Sequence, residues 1–399
     1  MKQQEQLQLL EPDDLALRLD RLDFIMGATG TDTVVVCSNA NLYYLCGRVF
    51  CGFILYHRGS RRPVYFVRRP VTLTGIDIVP IHKPEQIAEH LDAFGLQPLG
   101  LTALETESRS YAQTVRLAKA LGLEKFTDAD SIFRRVRAVK TPAEIKRIKY
   151  SGECQERVYR EIPRLYREGM SDIELQIEIE HASRLEGCLG LFRVAGNEME
   201  LFMANILAGD NADTPSPYDF AMGGAGADPS LPVGANGTII TPGQSVMVDA
   251  NGNYSGYMTD MTRTFAPTTL PDEAMRAHQL SIDICKELAQ MGRNGVAASM
   301  LYEKAVSMVE EAGLQDYFMG HRQHAGFIGH GVGIEINELP VISPRSRDIL
   351  ESGNIIALEP KFVIPHVGAV GIENTYLVNE DGPMTCLTNA DEQIRLLAE

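Results

Sequence analysis

The chain has 399 residues, 44% of them hydrophobic and 23% charged, with a formal net charge of −16. This length predicts about two domains of roughly 100–200 residues each, and the acidic balance argues against nucleic acid or an anionic membrane surface as a partner. The seven cysteines are scattered without a CxxC pair, which is typical of reduced thiols and excludes a disulfide framework. The polar N-terminus and the lack of an apolar run of about 20 residues predict a cytoplasmic protein that does not enter a membrane.

The first third of the chain alternates between helical and strand patterns. Leucines at helical spacing predict a helix over 14–30, and the apolar run 33–37 predicts a buried strand. The segment SNANLYYLCG (38–47) is interpreted as a loop, and the polar, basic stretch 126–141 as a linker. Between them lie strand patterns at 53–67, 76–81 and 99–103 and helix patterns at 84–94 and 111–121. This alternation predicts an α/β domain.

Beyond the linker the chain reads as helices, then loops rich in glycine and proline, then strands. Pro142 opens a helix that Pro163 should end or kink. Ser171 begins a capping box for a helix that reaches Gly187. The further predictions are helices at 271–291 and 298–312 and strands at 355–358 and 371–378.

Residues 246–265, VMVDANGNYSGYMTDMTRTF, contain two carboxylates eleven positions apart, Asp249 and Asp260. A hairpin that turns at 254–255 would place them directly opposite each other, with Cβ atoms roughly 4.5–5.5 Å apart. Two carboxylates at that distance repel each other unless a proton or a cation lies between them. A tight turn at 251–252 would instead separate the pair, and two solvated aspartates beside a loop remain the alternative.

Three further residues have side chains that bind metals and lie in turn or strand settings. His330 lies between glycines in GHGVGIEINELP, Glu359 ends the apolar run of ALEPKF, and Glu373 lies in GIENTYLV. A carboxylate in an apolar strand is costly to bury unless it is paired or ligates a cation. Taken singly, a capping histidine, a strand-end glutamate and a glutamate facing water explain them equally well.

Together the five residues occur in the order Asp, Asp, His, Glu, Glu, and here the chain resembles the pita-bread metallopeptidase family. That family includes Xaa-Pro aminopeptidases, prolidases, methionine aminopeptidases and creatinase. The resemblance rests on DMTRTF, GHGVG, EP and GIENT around the four later ligands, on SNANLYYLCG, and on RAVKTPAEIKRI at the join between domains. It implies an α/β N-terminal creatinase-like domain over 1–138 and an α+β pita-bread catalytic domain over 139–399. A homodimer is also implied.

The resemblance further implies that these five residues bind two divalent metal ions. Asp249 would chelate one ion, His330 and Glu359 the other, and Asp260 and Glu373 would bridge them. Four carboxylates and one imidazole suit manganese first, with cobalt, iron or zinc as alternatives. A metal-bridged hydroxide would attack the amide bond of a short peptide or small amide. Glu359 would carry the proton.

The sequence departs from the family pattern at three positions. Val233, in LPVG, and Asn337, in NELP, stand where family peptidases have histidines, and Gly371 stands where they commonly have arginine. Those histidines orient the scissile amide, and the loss of one such donor typically costs about 2.7–4 kcal/mol of transition-state stabilisation. Asn337 can still donate a hydrogen bond, and His324 and His366 are the candidates to take over the missing role.

The catalytic candidates are therefore Glu359, His324 and Asn337, while Arg263 is assigned a structural role beside the acidic ligands. Three hypotheses follow. The first is a dimetal Xaa-Pro aminopeptidase or dipeptidase. The second is a related metal-dependent enzyme that acts on a non-peptide small molecule, because the two histidines are replaced. The third is a silent binding module, which the retention of all five ligands disfavours because a silent scaffold has no need to hold four carboxylates together.

Overall fold

The computed structural model describes residues 10–71, 73, 78–196, 199–218 and 222–397. The chain divides between Arg137 and Ala138 into two compact units. Residues 76 and 77 of the strand predicted at 76–81 lie outside the described residues. Within the described ranges, no helix combines the length and the apolar character that crossing a bilayer requires.

The first unit is built on a six-stranded sheet with the strand order β4-β3-β2-β1-β5-β6. Its strands are β1 (Thr33–Val36), β2 (Gly52–His57), β3 (Val64–Val67), β4 (Ile78–Pro80), β5 (Thr102–Leu104) and β6 (Thr127–Asp128). Its helices are α1 (Pro12–Thr29), α2 (Asn39–Cys46), α3 (Tyr111–Ala120) and α4 (Asp130–Ala138). β1 pairs antiparallel with β2 and parallel with β5, so the sheet is mixed. The predicted α/β character of this unit is confirmed.

Three local predictions in this unit are wrong. SNANLYYLCG contains helix α2, whose N-cap is Ser38, and the Ser38 side chain accepts a hydrogen bond from the Asn41 amide. Residues 126–141 contain β6 and α4, because Ile132, Phe133 and Val136 are buried at helical spacing behind the charged residues. The helix predicted at 84–94 is a succession of short 3₁₀ turns.

The described residues of the second unit form four long helices, α5 (Pro142–Leu165), α6 (Asp172–Glu186), α7 (Asp272–Met291) and α8 (Ala298–Ala312). Its strands are β7 (Ala204–Ala208), β8 (Val246–Asn251), β9 (Asp260–Ala266), β10 (Gly329–Gly331), β11 (Glu338–Ile342), β12 (Ile355–Leu358), β13 (Lys361–Ile364), β14 (Gly368–Gly371), β15 (Asn374–Leu377), β16 (Thr385–Cys386) and β17 (Arg395–Leu396). They form sheets with the orders β11-β10-β12-β15-β16 and β17-β9-β8-β7, and a β13-β14 pair.

The helix starts in this unit follow their sequence signals. Thr141 and Ser171 are N-caps with complete capping boxes, and α6 ends at Gly187 in the left-handed conformation. Pro163 lies inside the last turn of α5, which ends two residues later. These predictions are confirmed because a capping box needs only residues that are three apart in the chain.

Each larger sheet carries its helices on one face. An apolar cluster packs α5 and α6 against β7, β8 and β9, with Tyr159, Ile179 and Val248 among its members. A second cluster packs α7 and α8 against the other sheet, with Leu288 and Ile356 among its members. The helices cover one face of each of these two sheets, which leaves the other face of each sheet free of these helices.

Candidate metal centre

The β8–β9 hairpin positions the first two acidic residues. Asp249 lies opposite Thr262, and Asp260 lies opposite Asn251. The predicted direct opposition of the two aspartates is therefore wrong by two positions, because the connecting loop spans 252–259 and is centred later than expected. A shift of two keeps both side chains on one face, since side chains alternate along a strand. Asp249 and Asp260 are diagonal neighbours rather than a facing pair.

The other three ligand candidates come from the second sheet and its edge. His330 is the central residue of β10, which lies between β11 and β12 and has a register shift directly after His330. Glu359 follows β12, and its amide donates to the Ile328 carbonyl at 2.9 Å. Glu373 lies between β14 and β15, and its amide donates to the Thr262 carbonyl at 3.1 Å. This backbone contact joins the second sheet to β9.

Arg263 holds that junction together. Its side chain is buried, and its guanidinium donates to the carbonyls of Thr262, Glu373 and Ala390, each at 2.8 Å, and to Asn374 Oδ1 at 2.7 Å. The predicted structural role fits these contacts, but the partners named for it were wrong. Arg263 binds backbone carbonyls and an amide, because the ligand carboxylates point to the other face of the strand.

The five ligand candidates meet in two overlapping groups. Asp260, His330 and Glu373 form one group, and Asp249, Glu359 and Glu373 form the other. Within each group the ligand atoms lie within 4.8 Å of one another. Glu373 belongs to both groups, as a bridging ligand would. This division differs from the predicted one, which placed Glu359 with His330 and made Asp260 a bridge.

His330 is oriented by its own strand. Its Nδ1 donates to the Gly331 carbonyl at 3.2 Å, which turns Nε2 toward Glu359 Oε1 at 3.4 Å and Asp260 Oδ2 at 3.9 Å. A hydrogen bond from the ring nitrogen that does not bind the metal fixes the ring of a metal-ligating histidine. Burial alone would lower the pKa of His330, but the hydrogen bond and negative charge of Glu359 raise it to about 9. The carboxylates around His330 Nε2 therefore stabilise a positive charge at this point of the site.

A lysine that the sequence analysis did not identify completes the cluster. Lys361 is the first residue of β13, its side chain is 0% exposed, and its Nζ donates to Asp249 Oδ2 at 2.9 Å, Glu359 Oε2 at 2.8 Å and Glu373 Oε2 at 3.1 Å. It had a visible signal: it stands two residues after Glu359 in the apolar run ALEPKFVI. The burial argument applied to the carboxylates applies equally to a lysine in such a run.

The acidic groups of the cluster respond differently to their neighbours. Burial and the negative charge of Glu359 raise the pKa of Glu373 to about 7. Burial, with the charges of Glu373 and Asp249, raises the pKa of Asp260 well above its usual range. Glu359 behaves in the opposite way, because Lys361 and His330 outweigh its burial and hold its pKa at about 2. The cluster thus contains more negative charge around Asp260 and Glu373 than Lys361 alone neutralises.

The first group has the donors that a divalent cation needs. Asp260 and Glu373 offer carboxylate oxygens and His330 an imidazole nitrogen, a set that suits Mn, Fe, Co or Zn. Glu373 Oε1 is buried and lacks a hydrogen-bond partner within the described part of the chain, which is unusual for a buried polar atom unless a water or an ion binds it. The residues of this group therefore fit a bound metal ion.

The remaining predicted site residues make contacts elsewhere. Asn337 Oδ1 accepts from the Ala195 amide at 2.7 Å, and its Nδ2 donates to the Ala195 carbonyl at 3.2 Å. His324 Nδ1 is bonded to the Phe318 carbonyl at 2.9 Å, and the ring lines a pocket to which none of the five ligands contributes. The His366 side chain is 92% exposed and faces Asp210. The contacts of these three side chains are thus made with residues other than the five ligand candidates.

Val233 and Gly371, two of the positions that depart from the family pattern, have local packing or backbone requirements in this structure. Val233, where family peptidases have a histidine, is buried. Gly371 pairs with Lys361 across β13 and β14, and a Cβ there would lie 3.0 Å from the Pro360 carbonyl and 3.1 Å from Lys361 Cα. Its φ of 132° is also one that side chains rarely permit. An arginine at 371 is therefore incompatible with this backbone.

Comparison with known proteins follows the division into two units. The model of metallopeptidase family M24 matches residues 146–380, more than half of the chain. The chain belongs to metallopeptidase family M24. The creatinase/prolidase N-terminal domain model matches residues 18–139. The predicted resemblance is confirmed, and the chain is placed among metallopeptidase-type hydrolases.

Similar proteins span nearly the whole chain. The Xaa-Pro dipeptidase of Pyrococcus horikoshii is 25% identical over 361 residues, which are 90% of this chain and 93% of that dipeptidase. The structure of the Xaa-Pro dipeptidase from Bacillus anthracis has a TM-score of 0.78 at 21% identity and covers 96% of this chain and 100% of its own. An X-Pro aminopeptidase from Thermotoga maritima gives 0.74 at 21% identity, with 92% and 98% covered. These likenesses confirm the predicted fold, an α/β creatinase-like domain followed by an α+β pita-bread domain.

Proposed function

We propose that this chain is a metal-dependent hydrolase that cleaves the amide bond of a short peptide, with Xaa-Pro dipeptides as the substrate class. The observation that carries the proposal is the convergence of Asp260, His330 and Glu373 into one group of metal donors. Membership of metallopeptidase family M24 and the similarity to proteins named Xaa-Pro dipeptidase support the reaction and the substrate class.

The roles of the chain's own residues follow from their contacts. Asp260, His330 and Glu373 would hold the cation, manganese first and otherwise cobalt, iron or zinc. A bound divalent ion supplies Lewis-acid polarisation of the carbonyl and a more acidic water. Glu359 Oε1 lies 3.4 Å from His330 Nε2, beside the proposed cation, so Glu359 would accept a hydrogen bond or a proton from the attacking water. Gly331 holds the His330 ring in place through its carbonyl.

The second candidate function is hydrolysis of a non-peptide small amide. It is favoured by the state of two residues that replace family histidines: Val233 is buried and apolar, and Asn337 uses both amide atoms on the Ala195 backbone. Val233 has no hydrogen-bond donor for the tetrahedral intermediate, and Asn337 cannot deliver a proton and already donates one of its two N–H groups to the Ala195 carbonyl. The loss of one such donor costs about 10²–10³-fold in kcat. A substrate that does not need these donors would escape that loss.

The test uses the purified full-length chain, treated with a chelator and then loaded with Mn²⁺. We expect release of proline from Xaa-Pro dipeptides, measured by chromatography, with much slower cleavage of matched Xaa-Ala dipeptides. Longer Xaa-Pro peptides separate dipeptidase from aminopeptidase activity, and Asp260→Ala is the inactive control. Bound metal without turnover of any peptide would overturn the peptide proposal in favour of small amides. We also propose a homodimer, which light scattering coupled to size-exclusion chromatography would test.

A further inference from the structure

The most informative side chain outside the family pattern is Lys361, because it lies inside the candidate metal centre. Its three hydrogen bonds go to three different carboxylates, those of Asp249, Glu359 and Glu373. A neutral amine carries only two N–H groups, so three donated bonds require the ammonium form. A fixed positive charge therefore lies among these three carboxylates.

The carboxylates that bind the ammonium are the same three that form the second candidate metal group. That group consists of Asp249, Glu359 and Glu373. A divalent ion there would need oxygen atoms at about 2.0–2.2 Å, yet one oxygen of each carboxylate is already bonded to Nζ at 2.8–3.1 Å. The ammonium and a second ion cannot share this space, and their like charges repel each other.

The Lys361 side chain is buried and its backbone is fixed by the strand to which it belongs. Lys361 is 0% exposed, and its backbone lies in β13, paired with Gly371 of β14. Its amide contacts Met319 Sδ and its carbonyl accepts from the Met319 amide. The next residue, Phe362, belongs to the apolar core. To leave the cluster, the buried ammonium would have to give up its three carboxylate partners, which is strongly unfavourable.

The negative charges of the cluster outnumber the positive charge of Lys361, which favours the binding of a further cation. Asp249, Asp260, Glu359 and Glu373 are four carboxylates, and Lys361 supplies one positive charge for them. The unsatisfied atom of the cluster is Glu373 Oε1, which is buried without a partner within the described residues, whereas Oε2 of the same carboxylate accepts from Lys361. One divalent ion beside Asp260, His330 and Glu373 would reduce the net charge of these groups from −3 to −1, with Asp249, Asp260, Glu359 and Glu373 ionised and Lys361 protonated.

We propose that Lys361 takes the place of the second metal ion, so that the centre binds one divalent cation per chain. This rests on the proposed function, which places an ion at Asp260, His330 and Glu373. The two ions implied by the resemblance are thus replaced by one ion and one ammonium. Lys361 acts as a positioning residue: it holds Asp249, Glu359 and Glu373 together without an open coordination position of its own.

The test measures metal content and the spin state of the metal. The full-length chain is stripped with a chelator, loaded with excess Mn²⁺ and desalted, and manganese per chain is measured by mass spectrometry. We expect one manganese, with the electron paramagnetic resonance spectrum of isolated Mn²⁺. Lys361→Ala, which removes the ammonium and opens the space, should bind two and give the spectrum of an exchange-coupled pair. Lys361→Arg, which keeps the charge and the bulk, should bind one.

The matched control is Lys140→Met, since Lys140 is a second buried lysine of the same unit, paired with Glu338 at 3.0 Å. That variant should keep one manganese. Two manganese ions in the unaltered chain would overturn the proposal for Lys361 while leaving metal-dependent hydrolysis intact. No manganese in the unaltered chain would overturn the proposed metal site, and the inference with it. The wild-type measurement decides the matter even if Lys361→Ala does not fold.

Discussion

The stability of Lys361→Ala is the most direct thermodynamic test of the proposal that Lys361 takes the place of a second metal ion. In the absence of divalent ions, the substitution leaves Asp249, Glu359 and Glu373 buried and facing one another without their shared counter-charge. All three lie within 3.1 Å of Nζ in the wild type. Removing one partner of a buried ion pair typically destabilises a protein by about 3–5 kcal/mol.

That free energy converts into a measurable shift of the melting temperature. For a unit of the size of residues 138–399, each kcal/mol lowers Tm by about 2–4 °C, so we expect Tm of Lys361→Ala to fall by about 6–20 °C in chelator. The assay is differential scanning calorimetry of both proteins in chelator and again in saturating Mn²⁺. The transition of the second unit is the one to compare.

Added Mn²⁺ should rescue the variant more than it stabilises the wild type, because the variant gains a second ion. An ion at 100 times its Kd contributes about 2.7 kcal/mol, so the Mn²⁺-induced rise in Tm should be about 5–11 °C larger for Lys361→Ala. Equal rises in the two proteins would refute the idea that Lys361 occupies an ion position. An unchanged Tm in chelator would show that the ammonium does not neutralise the three carboxylates.

Three further predictions concern single residues. Asp260→Ala should abolish both Mn²⁺ binding and turnover, whereas Asp249→Asn, which contacts Lys361, should keep its one ion; equal losses in metal analysis would contradict this asymmetry. Glu359→Gln should lower kcat by about 10²–10⁴-fold with a smaller change in KM, because it cannot accept a proton; steady-state kinetics on the best substrate, with metal content as the control, measures this. His278 is buried, and burial lowers its pKa to about 4. As pH falls, His278 is protonated in the unfolded chain at a higher pH than in the folded chain. The free energy of unfolding is therefore highest above about pH 6.5 and declines by roughly 3 kcal/mol as pH falls to 4. Urea unfolding across this range should show a shallower decline for His278→Gln, and parallel curves would reject the assignment.

The sequence by itself determined the features that depend on neighbours along the chain. Pro142 and the capping box at Ser171 predicted the starts of two helices, because a first-turn proline and a cap with its partner three residues away are local signals. The motifs around Asp260, His330 and Glu373 identified the ligand candidates, since each motif is continuous in sequence. The same local logic also marks Ser38 as an N-cap, so the helix after it was within reach of the sequence.

The register of the β8–β9 hairpin was decided by the tertiary structure. The loop over 252–259 contains several turn-forming residues, and the sequence does not determine which of them close it. The observed pairing of Asp249 with Thr262 moves the aspartates from facing to diagonal positions. The contacts of Asn337 and His366 were likewise invisible in sequence, because their partners, Ala195 and Asp210, lie more than a hundred residues away.

Lys361 shows most clearly what only the tertiary structure decides. In sequence it is a lysine two residues after Glu359, and nothing local distinguishes a buried ammonium from one in water. Its partners Asp249 and Glu373 lie 112 and 12 residues away, so their convergence depends on how β8, β13 and the junction before β15 come together. The sequence motifs therefore identify the family and the carboxylate and imidazole side chains of the candidate site. Which cation each carboxylate faces depends on the packing of strands that are remote in sequence.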